Sequence, residues 1–458
     1  MKNKIDLLLL NATLLLPKHS AEYLADFDEK RDPRDMLYEV QTDLGVHEGK
    51  IVHIGPQAQM EAFETMDCQG LHILPGLIDT QVHFRDPGLT HKEDLSTGSL
   101  GALKGGITGF FDMPNTTPAT TSQQKLIEKL ALAKEKSHVN YAFYSGVEPE
   151  TIDQLGNLEK MDHSPGLKVF LGLSTGHLLI RTDEDLDRIF RATKRRVVFH
   201  SEDDDVMESR KQYIIENDPS SHPVWRNEES ALRSTNRILA ACEKLNRSCH
   251  ILHLTTEDEI HFLKRKRKWA TMEVLPQHLL LNAPECYSNH GTFAQQNPPI
   301  RSNNHRLALR QALKDGCIDV IASDHAPHTL EEKKRPYPKS PSGMPGVQTL
   351  VPLMLNEVNQ GLCTLAHFTA LMTESPRRIF KIQNKGRIQL GYDADLTFVD
   401  MKKRKVIEKE WLVSKCGWSV FEGRSIEGWV QGSIIGGKLA LWDDQVLAQH
   451  LGRPISFS

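Results

Sequence analysis

Through the middle of the chain one pattern repeats. A short, continuous apolar run rich in β-branched residues ends in polar residues, and a stretch of helical periodicity follows. The runs are LHILPGLIDTQVH (71–83), GITGFFDMPN (106–115), NYAFYSGV (140–147), GLKVFLGLS (166–174), RRVVFHSE (195–202), CHILHLTT (249–256), TMEVLPQHLLL (271–281) and CIDVIASDH (317–325). Uninterrupted apolar runs separated by helices predict parallel strands buried on both faces, because a strand with one wet face would alternate. The segment QKLIEKLALAKEK (124–136) is a sample of the helices: Leu126, Ile127, Leu130 and Ala133 share a face and the lysines fall mostly elsewhere. Eight such units over residues 77–384 predict an α/β fold of the (β/α)8 TIM-type barrel class.

The two ends read differently. In residues 1–76 and 385–458, Gly and Asp turns separate short strands such as KIVHIG (50–55), GRIQLGYDADLTFVD (386–400) and EGWVQGSIIGGKLAL (427–441). They predict one small β-sandwich domain built from both chain ends. The start, IDLLLLNATLLL, reads as two short strands about an Asn11-Ala12 turn. Residues 17–40, polar and without periodicity, read as a loop insertion, and EEKKRPYPKSPSG (331–343) as a mobile loop after the eighth strand.

Composition narrows the function class. The 458 residues include 56 basic and 60 acidic side chains, so charge is near balance and argues against nucleic acid or an anionic membrane as partner. The run KRKRK (264–268) is accordingly read as a solvated outer face. Seven cysteines with no CxxC pair argue against a disulfide framework and a zinc ribbon, and suit a reducing cytoplasm. No apolar run of about 18 residues is present to span a membrane. The apolar start is broken by Asp6 and Asn11 and lacks a small-residue cleavage site, so it is not read as a signal peptide. GSIIGGKLA (432–440) lacks the spacing of a phosphate loop and the Ser/Thr after its Lys.

The candidate chemistry lies where the apolar runs end, because active sites of this architecture sit at the C-terminal ends of the strands. The first run ends in Gln81-Val82-His83, the fourth carries Lys168, the fifth carries His200, the sixth carries His253 and the eighth carries Asp324. Strand alternation puts residues 81 and 83 on the same face. Five strands thus direct ligand-type side chains to one place. Imidazole, carboxylate and a modified amine suit zinc or a similar divalent ion. Taken singly, each has a plainer role: a hydrogen-bonded histidine, a snorkelling lysine, a helix-capping aspartate. A lysine within a buried strand, however, is rare unless paired or modified.

The segments GLIDTQVHFRDPGLTHKED (76–94), DMPNTTP (112–118), GLKVFLGLSTG (166–176), FHSED (199–203), ILHLTT (251–256), NPPIRS (297–302), SDHAPH (323–328) and SGMPGVQTLVPLML (342–355), with GYDADLTFVD (391–400), resemble those of the dihydroorotases, cyclic amidohydrolases of the amidohydrolase superfamily. The resemblance implies one or two zinc ions at the barrel mouth. Lys168 would carry a CO2-derived carbamate bridging them, His200 and His253 would complete one ion's site, and His83 and Asp324 would serve the other. Asp324 would act as general base and then general acid. Arg85 and Asn115 would grip a substrate carboxylate, and Asn297, His328 and the backbone near Ser342 and Gly343 would hold the ring. The implied reaction is reversible hydrolysis of L-dihydroorotate to N-carbamoyl-L-aspartate in cytoplasmic pyrimidine synthesis. A small-molecule substrate and a homodimer are the family-level expectations.

One position departs from the pattern. The superfamily's first-strand motif Asp-x-His-x-His reads here Asp79-Thr80-Gln81-Val82-His83. An amide oxygen binds zinc more weakly than imidazole. Either Gln81 ligates through its oxygen or a water, leaving the first ion loosely held, or only the ion of Lys168, His200 and His253 is bound. Two other readings remain: a non-catalytic subunit scaffolding aspartate transcarbamoylase, which the intact remaining ligands disfavour, and a hydantoinase or allantoinase, whose substrate has no carboxylate for Arg85. Gln277-His278 stands where relatives often carry His-His, and neither is assigned a ligand role. His91, His222 and Asp112 read as loop, turn and supporting residues.

Overall fold

A computed structural model of the chain describes residues 4–18, 32–56, 60–172 and 178–458. The first part supplies β1 (Ile5–Pro17), β2 (Leu37–His47), β3 (Lys50–Ile54), β4 (Ala62–Asp67) and β5 (His72–Pro75). Next come β6 (Leu77–Val82), β7 (Ile107–Asp112), β8 (Asn140–Phe143) with its continuation β9 (Ser145–Gly146), and β10 (Leu167–Leu171). They are followed by β11 (Val197–Ser201), β12 (Cys249–Ile251), β13 (Ala270–Val274) and β14 (Val320–Ile321). The strands β15 (Leu396–Val406), β16 (Ser425–Ile435), β17 (Lys438–Trp442) and β18 (Gln445–Val446) close the list.

Strands β6 to β14 are parallel neighbours in sequence order, split between a three-stranded and a six-stranded sheet. The ring is completed where Val82 bridges His325 and the His83 amide donates to the His325 carbonyl at 2.8 Å. Every residue of these strands is buried, as continuous apolar runs require. The other nine strands form one sheet, in the order β18-β17-β16-β15-β5-β1-β2-β3, with β4 also on β1. The chain ends meet where β5 pairs antiparallel with β15, Ile73 opposite Phe398. Leu9, Leu14, Leu44, Ile73, Phe398 and Ile434 are among the residues of this sheet's own apolar core.

Several local expectations change. The run 71–83 is two strands, β5 in the terminal sheet and β6 in the barrel, with Gly76 between them. A Cβ there would lie 2.3 Å from Thr108 Oγ1 and 2.9 Å from the Asp395 carbonyl, so only glycine allows the sheets to touch at this point. The first segment is one strand, not two. Both halves pair with β2, and Asn11 (φ 59°) is taken up as a bulge between Leu9 and Ala12. Within 17–40, residues 37–40 already belong to β2, Pro33–Asp35 form one short turn of helix, and 19–31 lie outside the described residues. In 271–281 the strand stops at Val274 and Pro276 opens a short helix, Pro276–Leu280, because a proline ring fits a helix start but breaks a ladder.

The segment 331–343 is packed against the barrel mouth. Thr329 and Glu332 form a capping box, and Lys333 is buried, donating to the carbonyls of Gln295 (3.1 Å) and Pro341 (2.8 Å). After β18 the chain returns to the barrel, where the Ile455 amide donates to the Tyr141 carbonyl and its side chain joins Ile78, Phe111 and Phe380 in the interior. Among the described residues, no helix is long and apolar enough to cross a membrane.

One buried ion pair ties the first two barrel units together. Asp112, at the end of β7, accepts from the Phe84 amide at 2.8 Å and lies 2.6 Å from Lys129 Nζ of the helix Gln123–Lys136, with both side chains buried. Removing one partner leaves the other charge buried alone. Asp112→Ala is therefore expected to cost about 3–5 kcal/mol of stability, and adding Lys129→Met to recover much of it. Urea unfolding midpoints check this; equal midpoints for Asp112→Ala and the unaltered protein would contradict it.

Candidate active site

The barrel strands are short, so most candidate side chains project from the turns just beyond them. Gln81 in β6, Lys168 in β10 and His200 in β11 are exceptions, and Lys168 is buried in the second position of its strand. His200 is in β11, His253 lies two residues past β12, and Asp324 three past β14. Arg85, His253 and Asp324 have φ of 63°, 36° and 45°. A left-handed backbone costs a non-glycine residue about 1–3 kcal/mol and survives only where its surroundings hold it in place. Here the turn geometry re-aims the side chains across the mouth.

All of the sequence's candidates line one cavity of about 320 Å³: Gln81, His83, Arg85, Asn115, Lys168, His200, His253, Asn297, Asp324, His328, Ser342 and Gly343. They fall into three groups. In the first, Gln81 Nε2 donates to Asp324 Oδ1 at 2.9 Å. His83 sits beside them, with Nε2 3.1 Å from the same oxygen and Nδ1 2.7 Å from Asn115 Oδ1.

In the second group, His200 Nδ1 and His253 Nε2 lie 3.1 Å apart, with Lys168 nearby in the same wall. Burial lowers the pKa of His200, and that of His253 well below its usual value, so both rings are neutral. His200 Nε2 donates to Glu202 at 2.9 Å, and Glu202 is paired with the buried Arg226. Burial alone would raise the Glu202 pKa, but Arg226 and then His200 override it and hold this carboxyl well below the usual range. An ionised acceptor on Nε2 fixes the proton there and turns the Nδ1 lone pair toward His253. Burial pulls the Lys168 amine down from 10.5 to about 7, with Asp324 and Glu273 only partly opposing. Its Nζ makes no ion pair among the described residues and lies 4.5 Å from the Phe170 ring centroid.

The third group forms the outer wall. Arg85 is buried, donating from Nε to the Pro327 carbonyl (3.3 Å), with Nη2 3.3 Å from His328 Nε2. Among the described residues no carboxylate pairs with it. His222 Nε2 lies 2.9 Å from Asn297 Oδ1 and 3.1 Å from the Gln296 carbonyl, so this histidine orients Asn297. His328 accepts from Lys92 at Nδ1 (3.1 Å), which leaves Nε2 to donate to the Ser342 carbonyl (3.1 Å). The Gly343 amide is spent on the Gln295 carbonyl at 2.9 Å. A Cβ on Gly343 would lie 2.4 Å from the Ala326 carbonyl, so the closeness of this wall requires glycine. Gln277, His278 and His91 are not among the cavity's lining residues. Gln277 donates to the Ser323 carbonyl, His278 is bound to the Pro298 carbonyl, and His91 is exposed.

The sequence reading missed the support beneath the site. Glu202 was visible as an acid two residues after His200, whereas Arg226 carries no local signal. Asp79 accepts from the amides of Gln81 (3.2 Å) and Ser323 (3.1 Å), joining the ends of β6 and β14. Glu273 of β13 accepts from Thr80 Oγ1 (3.1 Å) and the His253 amide (3.3 Å). Burial raises Asp79 to about 7 and Glu273 to about 8.

Among the described residues no three His, Cys, Asp or Glu side chains form a ready cation site. What converges in the second group is two neutral imidazoles and an amine. That set fits a divalent ion once the amine becomes an anionic carbamate, and a neutral amine is the form that captures CO2. Lys168, His200 and His253 are thus the residues suited to hold a metal.

The amine also makes stability depend on pH. Its native pKa of about 7 lies below the unfolded value of 10.5, so the unfolded chain binds more protons between these values and stability rises with pH there. Below pH 7 the cost is fully present. In CO2-free buffer Lys168→Met is expected to be more stable than the unaltered chain at pH 6, with the advantage shrinking through pH 7–10.5. Urea midpoints across that range test it; a gap independent of pH would refute the assignment.

The amidohydrolase family model matches residues 72–440. The dihydroorotase of Methanothermobacter thermautotrophicus is 35% identical over 413 residues, covering 89% of this chain and 93% of that protein. The dihydroorotase of Methanosarcina mazei is 34% identical over 398 residues, covering 83% and 86%. Among solved structures, the L-hydantoinase (dihydropyrimidinase) from Arthrobacter aurescens aligns with a TM-score of 0.90 over 99% of this chain and 100% of that one, at 24% identity, a likeness of fold. With the parallel barrel, the flanking sheet and the sequence match in agreement, the chain belongs to the amidohydrolase family.

Proposed function

We propose that this chain is a dihydroorotase, reversibly hydrolysing the ring amide of L-dihydroorotate to N-carbamoyl-L-aspartate in cytoplasmic pyrimidine synthesis. The observation that carries the reading is Arg85, a buried guanidinium at the cavity wall with no carboxylate partner among the described residues. Such a group is costly unless the ligand supplies the anion. Dihydroorotate has a carboxylate, and a planar fork beside the Asn115 amide suits it. A hydantoin ring would leave the charge unmatched. The curated relatives named dihydroorotase support the same choice.

In this reading Arg85 and Asn115 anchor the carboxylate, and Asn297, oriented by His222, meets the ring together with the carbonyl-lined wall at Ser342 and Gly343. Gln81 and His83 both contact Asp324 Oδ1, which leaves Oδ2 to take a proton. Asp324 accepts that proton from the attacking water and delivers it to the ring nitrogen. The water oxygen joins the carbonyl carbon while the C–N bond breaks. A zinc-type ion on a carboxylated Lys168, His200 and His253 would supply Lewis acidity to the carbonyl and acidify water. Glu202 holds His200 in its ligating tautomer. In biosynthesis the same proton movements run backward and close the ring.

Protein reconstituted with zinc and bicarbonate is expected to interconvert the two compounds, and absence of turnover in both directions would end the proposal. Arg85→Ala is expected to lower kcat/KM for dihydroorotate by ~30-fold or more, since truncating one member of a buried charge pair costs about 2–5 kcal/mol. Steady-state kinetics on both compounds measure it. A loss under threefold would favour a substrate without the carboxylate.

A further inference from the structure

We propose that this chain binds a single metal ion, on Lys168, His200 and His253, and that Gln81 replaces a second ion by holding Asp324 through hydrogen bonding. The inference rests on the metal-dependent reading above and concerns the one motif position that departs from it.

The two halves of the candidate centre differ in what their atoms present. In one, the His200 Nδ1 lone pair is directed by the proton fixed on Nε2 by Glu202, and it faces His253 Nε2 across 3.1 Å. His253 Nε2 can donate to that lone pair or, with its proton on Nδ1, present a second lone pair to a cation, and His253 Nδ1 has no hydrogen-bond partner among the described residues. In the other half, the charge of Asp324 is already answered. Its Oδ1 takes the Gln81 amide N–H at 2.9 Å and lies 3.1 Å from His83 Nε2. The other His83 nitrogen is 2.7 Å from Asn115 Oδ1.

A carboxylate accepts and never donates, so it selects the nitrogen end of the Gln81 amide. An amide nitrogen has no lone pair for a metal. The opposite end, Oε1, is buried and has no hydrogen-bond partner among the described residues. A histidine at position 81 would present imidazole to Asp324 and restore a third nitrogen or oxygen donor beside His83. Glutamine instead supplies the N–H that orients the carboxylate. It thus does by hydrogen bonding what a cation would do by charge, and Gln81 is a positioning residue for Asp324.

The test is metal content, which is read without turnover. The full chain is stripped with chelator, reloaded with zinc in bicarbonate and freed of excess by gel filtration. The unaltered chain is expected to hold one ion, and Gln81→His to gain a second. His200→Asn is expected to lose the single ion and Glu202→Gln, which removes the charge behind that ligand, to weaken it by ~10–100-fold, while His83→Asn leaves it bound. Two tightly held ions in the unaltered chain would overturn the inference and leave the dihydroorotase reading intact. So would a single ion lost in His83→Asn but kept in His200→Asn. A folded Gln81→His protein that still holds one ion would remove Gln81 as the determinant. No bound ion in the unaltered chain would overturn both proposals, whereas one ion without turnover of dihydroorotate would overturn only the function. The count on the unaltered chain stands even if a variant fails to fold.

Discussion

Burying a primary amine in the wall of a closed barrel imposes a condition that the rest of the site must meet. Lys168 occupies the second position of β10, where both faces of the strand are dry, and no carboxylate pairs with it among the described residues. Burial favours its neutral form. The surroundings keep this arrangement without quenching it. Burial drives Glu273 and Asp79 toward protonation, and among the described residues neither lies within ion-pair distance of the amine. The two histidines nearest to it are neutral for the same reason. Desolvation thus favours the neutral amine and the neutral imidazoles, the forms that carbamate formation and metal binding would need.

Geometry around that group is enforced from behind. Glu202 and Arg226 fix one imidazole. Asp79 bridges the ends of the first and last barrel strands, so the closure of the ring and the placing of Gln81 and Asp324 are a single event. Asp112 and Lys129 do the same for the turn that carries Arg85. Positive φ at Arg85, His253 and Asp324 is the cost of aiming three side chains from short strands at one cavity. The outer wall is made by loops that a pattern reading leaves as irregular, among them 331–343, where buried Lys333 ties two carbonyls together.

Much of this was legible in order of residues alone. Continuous apolar runs announced buried parallel strands because a strand with two dry faces cannot alternate, and polar residues at the ends of those runs stood out against them. The site candidates could be named because each breaks a local rule: a lysine in a core strand, an aspartate and histidines where apolar residues belong. Periodicity could not show where a run divides. LHILPGLIDTQVH is one apolar stretch but two strands in two sheets, since the contact at Gly76 that parts them involves Thr108 and Asp395, far along the chain. Asn11 reads as a turn until β2 is seen to pair with both sides of it.

By itself, then, the sequence determined the class of fold and the identities of the side chains that face the cavity, because these follow from alternation, burial and residue chemistry. Only the tertiary structure decided how those side chains are oriented. That Gln81 turns its nitrogen to Asp324, that Arg226 braces the Glu202 which holds His200, and that Arg85 forms no ion pair among the described residues are facts about contacts between residues tens to hundreds of positions apart. Hydrogen bonds and ion pairs act over about 3 Å in space. No spacing along the chain encodes which distant atoms will come that close.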